Sequence, residues 1–90
     1  MEVVIERGII RALKKYPENH RDTIFDHIRR LEDPYRIPDI ECLFAAEQIY
    51  RIHIGRSYTI IFRILKEEDT VLVLDFMTIE QAHKRYRRYH

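Results

Sequence analysis

The clearest pattern in the chain is the alternation over Ile49-Tyr50-Arg51-Ile52-His53-Ile54, followed by a glycine at 55 and a second β-branched and aromatic run from Tyr58 to Leu65. Successive side chains of a strand point to opposite faces, so Tyr50, Ile52 and Ile54 share one face and Ile49, Arg51 and His53 the other. The first set is core-like. The second sets a guanidinium beside an imidazole. Gly55 supplies the backbone freedom of a tight reversal, with Arg56 and Ser57 as polar turn residues. The pattern predicts an antiparallel hairpin with strands near 47–54 and 58–65, one face building core and the other free for chemistry.

The rest of the chain changes period around that hairpin. Met1 to Ile5 is short and apolar enough for a first strand, and Ile9, Ile10, Leu13 and Tyr16 then recur at helical spacing until Pro17. A second helix is predicted from Asn19 or His20 to about Glu32. It turns Ile24, Phe25, Ile28 and Leu31 inward and keeps His20, Asp22, Arg29 and Arg30 largely outward. Asp33-Pro34 ends it, residues 34–39 read as a loop with two prolines, and Ile40 to Phe44 reads as a short strand with Leu43 toward the core. Beyond the hairpin lie a charged turn, Lys66 to Asp69, and an apolar strand, Val71 to Phe76. Thr78 and Gln81 have the spacing of a capping box, which predicts a last helix over about 79–88. The order βααβββ(β)α predicts an α+β fold, two helices on one face of a mostly antiparallel sheet and the other face partly open to a ligand.

Composition narrows the class. Ninety residues make one domain, 1–90, with a single core. The 46% hydrophobic and 34% charged content, with few glycines and prolines, is that of a folded chain. The single cysteine, Cys42, excludes an internal disulfide and a multi-cysteine zinc cage; it suits a reducing compartment, implies no disulfide-linked partner and is expected in the core. No stretch resembles a leader or a membrane span, so a soluble, cytoplasmic protein is expected. Residues 49–90 carry 8 basic against 5 acidic residues, whereas residues 1–48 carry 8 against 10, so the basic half is the one that holds the hairpin. Arginine outnumbers lysine 12 to 4, which favours two-pronged recognition of an anion. A charge-rich surface poor in amides also fits a thermophile.

The hairpin and its surroundings resemble the RelE/ParE superfamily of bacterial and archaeal toxins from type II toxin–antitoxin modules. Members show a hairpin like Tyr-Arg-x-Arg-x-Gly-x-x-Tyr-Arg-x-x-Tyr, and here it is Tyr50 to Phe62, with Arg51, Gly55 and Tyr58 in place. Leu43 stands where a leucine precedes that hairpin, and Val71 to Phe76 matches the strand that follows. The chain departs at Thr59, where arginine is common, at His53, where the family is basic, and at Phe62, where tyrosine is common.

The resemblance implies a RelE-like fold, with a two-helix layer on a mostly antiparallel four- to five-stranded sheet and a short C-terminal helix. It also implies a cognate antitoxin as partner. For RelE-like toxins it implies cleavage of mRNA on the ribosome by attack of the 2′-hydroxyl on the adjacent phosphate, without metal or cofactor. The alternatives are a ParE-like gyrase inhibitor and a degenerate relative that only binds its partner. Cleavage needs a base, cations for the developing charge and an acid for the leaving oxygen. The resemblance then makes Arg51, His53, Arg85 and Tyr86 the catalytic candidates: His53 as base, because imidazole titrates near neutrality, Arg51 on the transferring phosphate, and Arg85 and Tyr86 for charge stabilisation and base stacking. Arg56, Arg63, His83 and Lys84 are the nucleic-acid-binding candidates.

Each has a plainer reading. Arg51 and Arg56 can pair with acids such as Glu47 or Asp75, and the basic run 84–89 can be a solvated helix end favoured by the helix dipole. His20 and His27 are seven apart, the wrong spacing for a helical metal pair, so no metal site is expected.

Overall fold

The alternating and periodic segments become the elements they predict. The computed structural model, which describes residues 1–85, contains β1 (Glu2–Ile5), α1 (Arg7–Leu13), α2 (Glu18–Arg30), β2 (Glu41–Phe44), β3 (Ile49–Ile54), β4 (Tyr58–Leu65), β5 (Thr70–Thr78) and α3 (Ile79–Arg85). Single 3₁₀ turns occupy Pro34–Arg36, inside the expected loop, and Lys66–Glu68, inside the expected charged turn. The first helix stops at Leu13, before Pro17, and Pro17 instead sits at the entry to α2, where its missing N–H costs nothing.

The five strands form one sheet in the order β1-β5-β4-β3-β2, antiparallel except for the parallel pairing of β1 with β5. Strands β3 and β4 run in unbroken register from Ile49 opposite Arg63 to Ile54 opposite Tyr58. A three-residue loop joins them, with Gly55 at φ +60, a conformation that residues with a Cβ rarely adopt. Between β4 and β5 the register slips: Ile61 faces Asp75 but Phe62 faces Val73. Leu74 is thus an extra residue, a bulge, and it sets Asp75 in the same cross-strand row as Ile61.

The two faces of the sheet are built differently. Helices α1 and α2 cover one of them, where Ile9, Leu13, Ile24, Ile28 and Leu31 pack on Ile52, Ile54, Ile60, Phe62, Val71 and Val73. Phe25 packs at the margin of this core, so α2 docks through the predicted residues. The opposite face, expected to be partly open, is partly covered by α3, whose Ala82 joins Ile49, Ile61 and Met77 in a second, smaller core with Leu43, Phe44 and Leu74 around it. The predicted capping box starts that helix. Thr78 Oγ1 accepts the Gln81 N–H at 3.1 Å, and Gln81 Oε1 accepts the Thr78 N–H at 3.2 Å. Residues 86–88 of the predicted last helix lie outside the described residues.

One core assignment is corrected. Cys42 is exposed, because β2 is the edge strand and pairs on one side only, with β3. No helix among the described residues is long and apolar enough to cross a membrane.

Candidate functional site

Cross-strand pairing assembles the site. The register places Glu41, Arg51, Ile61 and Asp75 in one row across β2 to β5, and His53, Thr59 and Met77 in the adjacent row. Residues directly opposite in a ladder present their side chains on the same face. Ile61 and Met77 belong to the smaller core, so the polar members of both rows lie on the face away from α1 and α2. Sequence alternation predicted this side for Arg51 and His53.

The contacts there form a continuous chain. Arg51 Nε and Nη2 both donate to Glu41 Oε2, at 3.0 and 2.6 Å. The other carboxylate oxygen, Oε1, lies 3.9 Å from His53 Nε2. On its far side, His53 Nδ1 is 2.8 Å from Thr59 Oγ1. Thr59 is fully buried, so this hydroxyl finds its partner in the imidazole rather than in water. The side chain of Arg51 is 19% exposed and that of Glu41 50%. The hydrogen bond from Arg51, and then its charge, hold the Glu41 carboxyl below its ordinary value. Proximity of His53 acts in the same direction more weakly, and desolvation opposes both.

The other candidates are dispersed. Arg63 stands opposite Ile49, on the same face and diagonal to Arg51, but its Nε donates to the Glu47 carbonyl at 2.9 Å. Glu41 is a carboxylate that engages Arg51, whereas Glu47 contributes this backbone oxygen to Arg63. Arg56, in the hairpin loop, lines a cleft with His20, Thr23 and Ile24 of α2, on the helix side of the sheet and away from Arg51. In that cleft His20 Nδ1 meets the Tyr58 hydroxyl at 3.2 Å, while His27 Nδ1 is 2.8 Å from the Thr23 carbonyl. The two α2 histidines thus have separate partners.

A family model described as the ParE toxin of the type II toxin–antitoxin system parDE matches residues 7–90. The chain belongs to that family. Among the solved structures with the same fold are RelE toxins, alone and with an antitoxin. The archaeal RelE–RelB complex from Pyrococcus horikoshii OT3 has a TM-score of 0.75 at 21% identity, covering 86% of this chain and 92% of that one. The RelBE2 toxin–antitoxin complex from Mycobacterium tuberculosis gives 0.68 at 18%, covering 86% and 95%. Isolated RelE from E. coli gives 0.68 at 13%, covering 99% and 98%. At these identities the likeness is one of fold. No curated protein sequence matches the chain.

In this ParE-family toxin, α3 carries three of the remaining candidates, His83, Lys84 and Arg85. Lys84 is exposed on it; the side chains of His83 and Arg85, and Tyr86 altogether, lie outside what the structure describes. Two members of the polar chain went unnoticed as site residues. Thr59 registered only as a departure from the family's arginine, and Glu41 as part of a short apolar strand. The one available signal for Glu41 was a carboxylate in an otherwise apolar run, and it gains meaning only when β2 pairs with β3.

Proposed function

We propose that this toxin is a RelE-like mRNA endoribonuclease that acts on ribosome-bound message and is neutralised by an antitoxin. The observation that carries the reading is the adjacency of Arg51, His53 and Glu41 on one face of a rigid sheet. A guanidinium for the developing charge and an imidazole for the proton, side by side, are what RNA transesterification needs at the phosphate, with Glu41 paired to them until a phosphate arrives. Arg51 would face the non-bridging oxygens of the phosphate. With Thr59 Oγ1 accepting from Nδ1–H, His53 Nε2 is the lone-pair nitrogen and takes the proton of the 2′-hydroxyl. The 2′ oxygen bonds to phosphorus as the P–O5′ bond breaks, leaving a 2′,3′-cyclic phosphate, and the 5′ oxygen takes a proton from water. The RelB chains in the complexes of similar fold support an antitoxin as the partner.

A second reading, inhibition of gyrase, is favoured by the family match to ParE toxins. A lysate translating a defined mRNA, run beside a gyrase supercoiling assay, tests both. The nuclease reading expects cuts within ribosome-occupied codons and intact supercoiling. Lost supercoiling without cuts overturns it in favour of gyrase. Neither effect leaves a toxin relative that only binds its partner.

A further inference from the structure

The carboxylate of Glu41 lies where an anion belongs. One oxygen takes two donors from the Arg51 guanidinium and the other turns toward His53 Nε2, so each faces a different basic side chain. The non-bridging oxygens of a phosphodiester would take the same place on Arg51, beside His53, since a guanidinium fork accepts carboxylate and phosphate alike. The two sides of this pair differ in how firmly they are held. Arg51 is mostly buried in β3, between two neighbouring strands, whereas Glu41 is half exposed at the start of a four-residue edge strand whose register slips between Cys42 and Phe44. The arginine is fixed and the carboxylate can leave. Exposed ion pairs are weak, so a phosphate can displace this one, but it must do so against a resident negative charge.

We propose that Glu41 is an internal anion that fills the phosphate seat between Arg51 and His53 and sets the threshold an RNA phosphodiester must exceed to enter. The proposal rests on the nuclease reading only in taking the incoming anion to be RNA phosphate. Removing the carboxylate opens the seat, so Glu41→Gln should bind RNA more tightly even though the substitution adds no cationic side chain.

The test is fluorescence anisotropy of the full chain with a labelled single-stranded RNA dodecamer across a salt series. Glu41→Gln is expected to bind roughly tenfold tighter than wild type, the size of one charge-assisted contact. Its log K against log salt should steepen by about 0.7, the increment for one further phosphate contact on a single strand. Glu18→Gln removes an equal charge from the exposed start of α2 and should change affinity less than about twofold, with an unchanged slope. The double variant Glu41→Gln with Arg51→Gln should lose the gain. If Glu41→Gln binds no tighter than Glu18→Gln and keeps the wild-type slope, the threshold role is overturned. If Arg51→Gln weakens binding in that same experiment, RNA contact at Arg51 survives without it. If neither wild type nor any variant binds RNA, the threshold role falls, while the nuclease reading on ribosome-bound message is decided by the lysate assay.

Discussion

The two faces of the sheet share strands and differ in everything those strands present. Under α1 and α2, Leu13, Leu31, Ile60, Phe62 and Val73 are fully buried, and the buried members of that cluster are all apolar among the described residues. On the other face, the apolar patch of Ile49, Ile61, Met77 and Ala82 is small, and Glu41, Arg51, His53 and Thr59 lie in line beside it. Ile52 and Arg51 are neighbours in the chain and belong to opposite worlds. Burial of apolar surface is the main favourable term in folding, so the helix-covered face carries the stability. The face with a reduced core can hold charge without paying full desolvation. Parity along β3 and β4 therefore predicts what kind of damage a substitution does.

The largest effect is expected on the dry face. Phe62 is fully buried and stacks on Tyr50, ring centroids 6.0 Å apart. Phe62→Ala should cost about 3–5 kcal/mol in chemical denaturation, because it leaves a cavity where close packing had been. A loss below about 1 kcal/mol would mean that the helix layer does not rest on this residue. Next comes the polar face. Arg51→Ala should lower mRNA cleavage by about 10² to 10³, the usual effect of deleting one preorganised charge aimed at the transition state. The midpoint of its denaturation should move far less than that of Phe62→Ala. Equal stability losses in the two variants would erase the distinction between the faces; unchanged cleavage by Arg51→Ala would remove the chemistry from the polar one.

Much of this division could be read from residues alone, because a period of two is a local property. Alternation over 49–54 assigns Arg51 and His53 to one side without any knowledge of their neighbours, and the helical spacing of Ile24, Ile28 and Leu31 orients α2 in the same way. What stayed hidden depends on pairing. The bulge at Leu74 cannot be seen in the apolar run 71–76, yet it decides which face Asp75 shares. Cys42 reads as core by residue type and is exposed by strand order. Arg56 shares the basic hairpin with Arg51 but leaves its face, because the turn at Gly55 carries it toward α2. Glu41 is ten residues from Arg51 in sequence and meets it only through the β2–β3 ladder.

A smaller effect sharpens the comparison at the edge of the polar face, where the cap at Thr78 starts α3 and Ala82 seats it in the smaller core. Thr78→Ala removes the hydroxyl that accepts the Gln81 N–H. Loss of such a cap costs about 0.5–2 kcal/mol. Since Ala82 is the buried side chain of α3 in the smaller core, the loss should appear as faster hydrogen exchange in α3, with the amides of Ile60 and Phe62 keeping their protection. If β4 amides exchange faster to the same degree, the two faces unfold as one unit and the smaller core is not separable from the larger.

The smallest effect is electrostatic and reports on the polar face alone. Glu41 has its carboxyl lowered in the folded state from the ordinary 4.5, chiefly by the hydrogen bond and charge of Arg51. A depressed carboxylate contributes stability that is fully present above its unfolded value and is lost as pH falls through the folded one. Wild type should therefore exceed Glu41→Gln in melting temperature by a constant margin from neutral pH down to about pH 5.5, and the margin should close below about 4.5 as the carboxylate takes its proton. Carrying His53→Asn in both chains confines the comparison to the Glu41–Arg51 pair, since His53 also lies beside the Glu41 carboxylate. The exposure of Glu41 keeps the margin small, because solvent screens the pair. Added salt at neutral pH should narrow it further, while leaving the deficit of Phe62→Ala in place. A margin that is flat down to pH 3, or one that widens there, would mean that the carboxylate and Arg51 are not paired in solution.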